Sequence, residues 1–120
     1  LDTQIIIWMD EGSRRLSEDM WRALEISTQH YYSAASAWEA SIKRASGKLH
    51  LGATLSEIAS NLALQPIPIT VAHGEAAGNL PPHHRDPFDR LLIAQALTEG
   101  LTLVTSDRLL RRYDVDLLLV

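Results

Sequence analysis

The stretch from Asp86 to Gly100 limits the fold more than any other part of this chain. Asp86 stands before Pro87, and proline suits the first position of a helix. From Phe88 to Leu97 the helical wheel is apolar nearly all round, so the helix is expected to be buried. Gly100 ends it. Leu101–Thr105 then reads as a buried strand, Asp107–Tyr113 as a short helix and Val115–Val120 as a final strand. Helices and strands in alternation point to an α/β fold with a largely parallel sheet.

The preceding residues keep the same alternation. Leu1–Asp2 reads as the end of a strand, and a few residues are expected ahead of it. A short apolar helix follows through Ile5, Ile6, Ile7 and Trp8, although the isoleucines alone suit a strand equally. Glu11-Gly12-Ser13 is a turn, and Ser17 caps a helix to about Ile26. His30–Ser33 is a short strand. Ser33 or Ser36 caps a helix to about Arg44, closed by Gly47. Thr54–Leu64 is an amphipathic helix with Leu55, Ile58, Ala59 and Leu62 on one face. Ile67–Ile69, interrupted by Pro66 and Pro68, belongs at a sheet edge. Thr70–Asn79 is helical, and Leu80–Arg85 is a stiff loop. At 120 residues the chain fits a single domain, 1–120.

Composition removes several classes. Hydrophobic residues at 46% and charged residues at 22% describe a core-forming chain. With no cysteine, disulfide and thiolate metal sites are excluded, and a cytoplasmic setting is expected. The apolar runs are too short to span a bilayer, so no membrane contact is expected. The net charge of −4 lacks the basic footprint usual for nucleic-acid binding. That objection weakens where carboxylates gather round a divalent cation, which reverses the sign of its pocket.

Four acids fall where an open α/β sheet places its site, outside the carboxyl ends of its strands. Asp2 ends the first strand, and Glu39 lies on the helix after the second. Asp89 is in the first turn of the buried helix, and Asp107 lies just past Leu101–Thr105. Clustered carboxylates repel one another unless cations lie among them, and oxygen-rich sites suit Mg²⁺ or Mn²⁺. Each acid also has a purely structural use. Asp2 and Asp107 can cap helices. Asp89 can favour the helix dipole, and its spacing from Asp86 resembles a capping box. Glu39 can pair with Lys43 at a surface spacing worth roughly 0.2–0.5 kcal/mol. His83 and His84 belong to no His-Glu-x-x-His pattern, so zinc is not expected. Trp8, Trp21 and Trp38 are expected in the core.

The contexts of these acids carry a resemblance. Leu1-Asp2-Thr3, Ser33-Ala34-Ala35-Ser36-Ala37-Trp38-Glu39, Asp86-Pro87-Phe88-Asp89-Arg90 running into Ile93-Ala94-Gln95-Ala96, and Leu103-Val104-Thr105-Ser106-Asp107 together resemble PIN-domain toxins of the VapC type. The resemblance implies a three-layer sandwich with a central, mostly parallel sheet. It implies that Asp2, Glu39, Asp89 and Asp107 form the metal site of a Mg²⁺- or Mn²⁺-dependent endoribonuclease. Asp89 is chosen over Asp86 because Asp86 already has a role as helix cap. Thr105 resembles the threonine before the family's last acid, where its hydroxyl orients a carboxylate or binds metal-bound water. Ser36 has a similar place beside Glu39.

The resemblance further implies an antitoxin partner, VapB-like, and a homodimer. Lys43, Arg44, Lys48, Arg85 and Arg90 are candidate phosphate contacts, with His84 at the rim. The partner's apolar part is expected beside the helix Ser17–Ile26 or Thr54–Leu64, with an Arg against the acids. A catalytically silent binding module of the same fold is the alternative. A phosphatase with an aspartyl nucleophile ranks lower, because Asp2-Thr3-Gln4 lacks a second aspartate two residues on.

Overall fold

The computed structural model describes residues 1–27 and 29–120. Asp2 opens the first helix, α1 (Thr3–Glu11), by accepting from the Ile5 N–H at 3.0 Å. Gly12 closes it at φ 62°, a left-handed conformation that glycine adopts without strain. Ser17 caps α2 (Glu18–Ile26), as its position before an acidic first turn suggests. Strand β1 (Tyr31–Ser33) runs directly into α3 (Ala34–Ala45). Between the two candidate caps, Ser33 is the one used, accepting from the Ala35 N–H at 3.0 Å. Then come α4 (Leu55–Asn61), β2 (Gln65–Ile67), α5 (Val71–Gly78), α6 (Pro87–Glu99), β3 (Leu103–Thr105), a 3₁₀ helix (Arg108–Arg112) and β4 (Leu117–Leu119).

The strands form two parallel pairs, β1 with β2 and β3 with β4. Leu1 and Asp2 join the pairs without forming a strand of their own. The Leu1 nitrogen donates to Tyr31 O at 3.0 Å on one side, and Asp2 N–H donates to Val104 O at 2.9 Å on the other. A cavity of about 420 Å³ lies beside this junction, bounded by Tyr31, Gln95, Leu101 and Leu103 among others.

Helices cover both faces of β3. Leu103 packs with Leu92, Ile93, Ala96, Leu110 and Tyr113. Its neighbour Val104 points the other way, onto Ile5, Leu16, Met20 and Leu24. This alternation makes a sheet between two helical layers, the α/β sandwich expected from the sequence. A third cluster, built on Ile6, Tyr32, Ala40, Leu55, Ile58 and Ala59, closes the β1 side.

Besides the strand expected to end at Leu1–Asp2, which does not form, other expectations shift. The strand expected at Ile67–Ile69 lies at Gln65–Ile67. Pro68 cannot donate to a ladder, and its carbonyl instead accepts from Gln95 Nε2 at 3.2 Å. The helix expected over Asp107–Tyr113 is a single 3₁₀ segment, Arg108–Arg112, capped by Asp107. Trp38 is not in the core but 61% exposed, on the face of α3 that carries the exposed Ile42 one turn on. Its indole rests edge-on against Phe88, with ring centroids 5.2 Å apart. Trp8 and Trp21 are half-buried against the Ile5 cluster.

Candidate metal centre

The carboxyl ends of β1 and β3 face the same side as the start of α6, and the acids gather there. Asp2, Glu39 and Asp89 line one cleft of about 260 Å³, together with Thr3, Lys43 and Lys48. Asp107 reaches the group through His84. The His84 Nε2 lies 3.0 Å from Asp107 Oδ2 and 3.1 Å from Asp89 Oδ2.

Each acid is held differently. Asp2 is buried, and both its oxygens are engaged: Oδ1 caps α1, and Oδ2 accepts from the Thr105 hydroxyl at 2.5 Å. Burial raises its pKa, and the Thr105 and Ile5 donors oppose that rise. Glu39 accepts from the Thr3 hydroxyl at 2.6 Å and from Lys43 Nζ at 2.9 Å. The hydrogen bond to Glu39 in turn raises the Lys43 pKa. Asp107 caps the 3₁₀ helix through Oδ1, and its own N–H donates to Thr105 Oγ1 at 3.1 Å. Asp2 and Asp107 thus cap helices, and Glu39 pairs with Lys43, as their local contexts in the sequence allow.

Asp89 differs from the rest. Among the described residues it has no directed hydrogen bond, only the His84 contact. Burial pushes its carboxyl up to about 7, and the negative charges of Asp86, Glu39 and Asp2 push the same way against His84. Asp86 is occupied as the α6 cap, accepting from Phe88 N–H at 2.9 Å.

Among the described residues, the potential ligand atoms that lie within 4.8 Å of one another are those of His84, Asp89 and Asp107, and the carboxylate oxygens among them suit a hard divalent cation. A half-buried Asp89 crowded by three other acids is stabilised by such a charge in a way that Lys43, already paired with Glu39, does not supply.

The cationic residues separate into two groups. Lys43 and Lys48 border the cleft, whereas Arg85 is exposed on the loop before α6 and Arg44 is exposed on α3. Arg90 is not free to meet phosphate. Its guanidinium donates to the carbonyls of Ala77, Leu80, Pro81 and His84 and to the Tyr113 hydroxyl, at 2.8 to 3.4 Å. Five donors in a rigid fork explain how one side chain gathers that loop. Ser36 is buried one turn before Glu39, and its hydroxyl has no partner among the described residues.

Two members of the group have contacts here that sequence reasoning does not give: Thr3, read only as part of the Leu1-Asp2-Thr3 motif, and His84, expected only at the rim. Thr3 carries no signal beyond standing next to Asp2. His84 is separated from Asp107 by 23 residues, and only the fold makes them neighbours.

The PIN domain family model matches residues 1–116. The chain belongs to the PIN domain family. No curated protein sequence matches it. Among solved structures, this PIN domain is similar to a chain in the crystal structure of VapBC2 from Rickettsia felis bound to a DNA fragment from their promoter. The two are 17% identical, with a TM-score of 0.70, over 99% of this chain and 96% of that chain. At that identity the likeness concerns the fold. Family membership places this PIN domain among nucleases.

Proposed function

We propose that this protein is a Mg²⁺- or Mn²⁺-dependent endoribonuclease of the VapC type, the toxin of a toxin–antitoxin pair. The observation that carries the reading is Asp89. It is a carboxylate raised to about 7 by burial, in one cleft with Asp2 and Glu39 and joined to Asp107 through His84. Family membership and the likeness to a VapBC2 chain support the nuclease and toxin assignments.

Asp2, Glu39, Asp89 and Asp107 would hold the ion. A bound Mg²⁺ or Mn²⁺ supplies a water of lowered pKa and neutralises charge on the phosphate being cleaved. The protein's own part is to fix the carboxylates. Thr105 holds Asp2 and the backbone of Asp107 in one arrangement, and Thr3 does the same for Glu39. Lys43 and Lys48 place positive charge at the cleft where phosphate would enter. The partner would be a VapB-like antitoxin that sets an Arg against Asp2, Asp89 and Asp107, because a planar fork pairs two carboxylate oxygens. Its apolar part would lie beside α2 or α4. The chain would act as a homodimer in the cytoplasm. No helix among the described residues is long and apolar enough to cross a membrane.

The test is cleavage of total RNA with Mg²⁺ or Mn²⁺, with and without EDTA, followed by mapping of the cut ends. Asp2→Asn and Asp107→Asn are expected to abolish cleavage while leaving the circular dichroism spectrum unchanged. Full activity in EDTA would overturn the metal reading. Absence of metal-dependent cleavage would leave a PIN-fold binding module.

A further inference from the structure

His84 contacts both Asp89 and Asp107, and the direction of its hydrogen bonds says what it does there. Its Nδ1 accepts from the backbone N–H of Asp86 at 3.0 Å. A peptide N–H always carries its hydrogen, so Nδ1 must present a lone pair. A neutral imidazole has one N–H and one lone pair. The proton therefore sits on Nε2, which donates to Asp107 Oδ2 at 3.0 Å and lies 3.1 Å from Asp89 Oδ2.

We propose that His84 is a built-in competitor for the metal site, its Nε2–H facing the gap between Asp89 and Asp107 that a divalent cation must enter. This inference rests on the metal-dependent reading above. In the pose observed the ring is no metal ligand, since its one lone pair is turned to Asp86. It instead presents a hydrogen to the gap, and the partial positive charge there repels a cation bridging the same two oxygens.

The backbone of His84 is held independently of its ring. The His84 N–H donates to the Tyr113 hydroxyl at 2.8 Å, and its carbonyl accepts from Arg90 at 3.4 Å. With the backbone pinned on both sides, release is a rotation of the side chain alone. The ring is 16% exposed, so one edge already meets solvent. Metal binding then has to break the bonds to Asp107 and Asp86, and the intrinsic affinity of the carboxylates is reduced accordingly.

The test is Mn²⁺ affinity of the metal-free protein, measured by calorimetry and by the electron paramagnetic resonance signal of free Mn²⁺. His84→Ala is expected to bind Mn²⁺ on the order of tenfold more tightly than wild type, the weight of one hydrogen bond to a charged group. Equal or weaker binding by a folded His84→Ala would overturn the proposal, weaker binding identifying His84 as a ligand. If neither protein binds Mn²⁺, the metal reading itself falls and this inference with it. The wild type supplies an independent readout. In ¹⁵N spectra of its histidine rings, His84 should be the Nε2–H tautomer without metal and lose the carboxylate hydrogen bond when saturated with Mg²⁺. A ring that keeps that bond at saturation, or turns Nε2 into a deprotonated ligand, would overturn the competition.

Discussion

At Asp89 the physics of the site is concentrated in one side chain. Its carboxyl stands at about 7 against an ordinary 3.8, chiefly through burial. The folded, metal-free protein therefore holds a proton that the unfolded chain releases near pH 4. The stability that Asp89 contributes is accordingly full below that range, is lost as pH rises from about 4 to about 7, and then levels off. Thermal melts in EDTA at pH 5, 6, 7 and 8 should show midpoints that decline toward pH 7. Asp89→Asn should flatten that decline and raise the midpoint at pH 8, while abolishing cleavage. A midpoint at pH 8 lower than wild type would mean that Asp89 is charged at little expense. Thr105 tests a different point. Thr105→Val keeps shape but leaves the buried Asp2 short of a donor and the Asp107 N–H without its acceptor. A loss of about 1–3 kcal/mol is expected in chemical denaturation, together with weaker Mn²⁺ binding.

Among the elements, α6 is the most legible in the sequence. Asp86, Pro87 and Gly100 delimit it, and the helix spans Pro87–Glu99. Its apolar wheel follows from lying between β3 and α5. The short strands are legible as regions but not to the residue, because three-residue segments have too little period to fix their ends. Pro68 shows why: its chemistry forbids a ladder bond, yet only the Gln95 contact reveals where the ladder stops. For the candidate site, motifs name Asp2, Glu39, Asp89 and Asp107, while their mutual approach depends on the fold. Arg90 has a role that the sequence does not reveal. In sequence it is a cation beside an acid; in the fold it clamps the loop that presents His84. Arg90→Ala is expected to lower stability by about 1 kcal/mol, since several partly buried carbonyls lose their donor at once. RNA affinity per folded molecule should change little. A large loss of affinity without a shift in the melt would restore Arg90 as a phosphate contact. Trp38 departs from its expected place for a related reason: an aromatic residue on a helix declares apolarity but not which face is covered.

As a whole molecule, the chain gathers its acids from four separated segments. A cation held by all four would tie α1, α3, α6 and the 3₁₀ helix together. Saturating Mn²⁺ should therefore raise the thermal midpoint, with about 2.7 kcal/mol gained at a hundredfold excess over Kd. No shift at millimolar Mn²⁺ would contradict a metal site in the folded state. Light scattering should give twice the 13.4 kDa chain mass if the protein is a homodimer. The exposed Trp38 and Ile42 give α3 an apolar face for a contact. The junction at Leu1–Asp2 has a bearing on synthesis as well. Asp2 takes its position from Val104 and Thr105, more than a hundred residues later in the chain. During translation Asp2 leaves the ribosome well ahead of the strand and the hydroxyl that orient it. The cleft and the hydrogen bonds that order it are thus complete only after Thr105 and Asp107 have emerged in their turn.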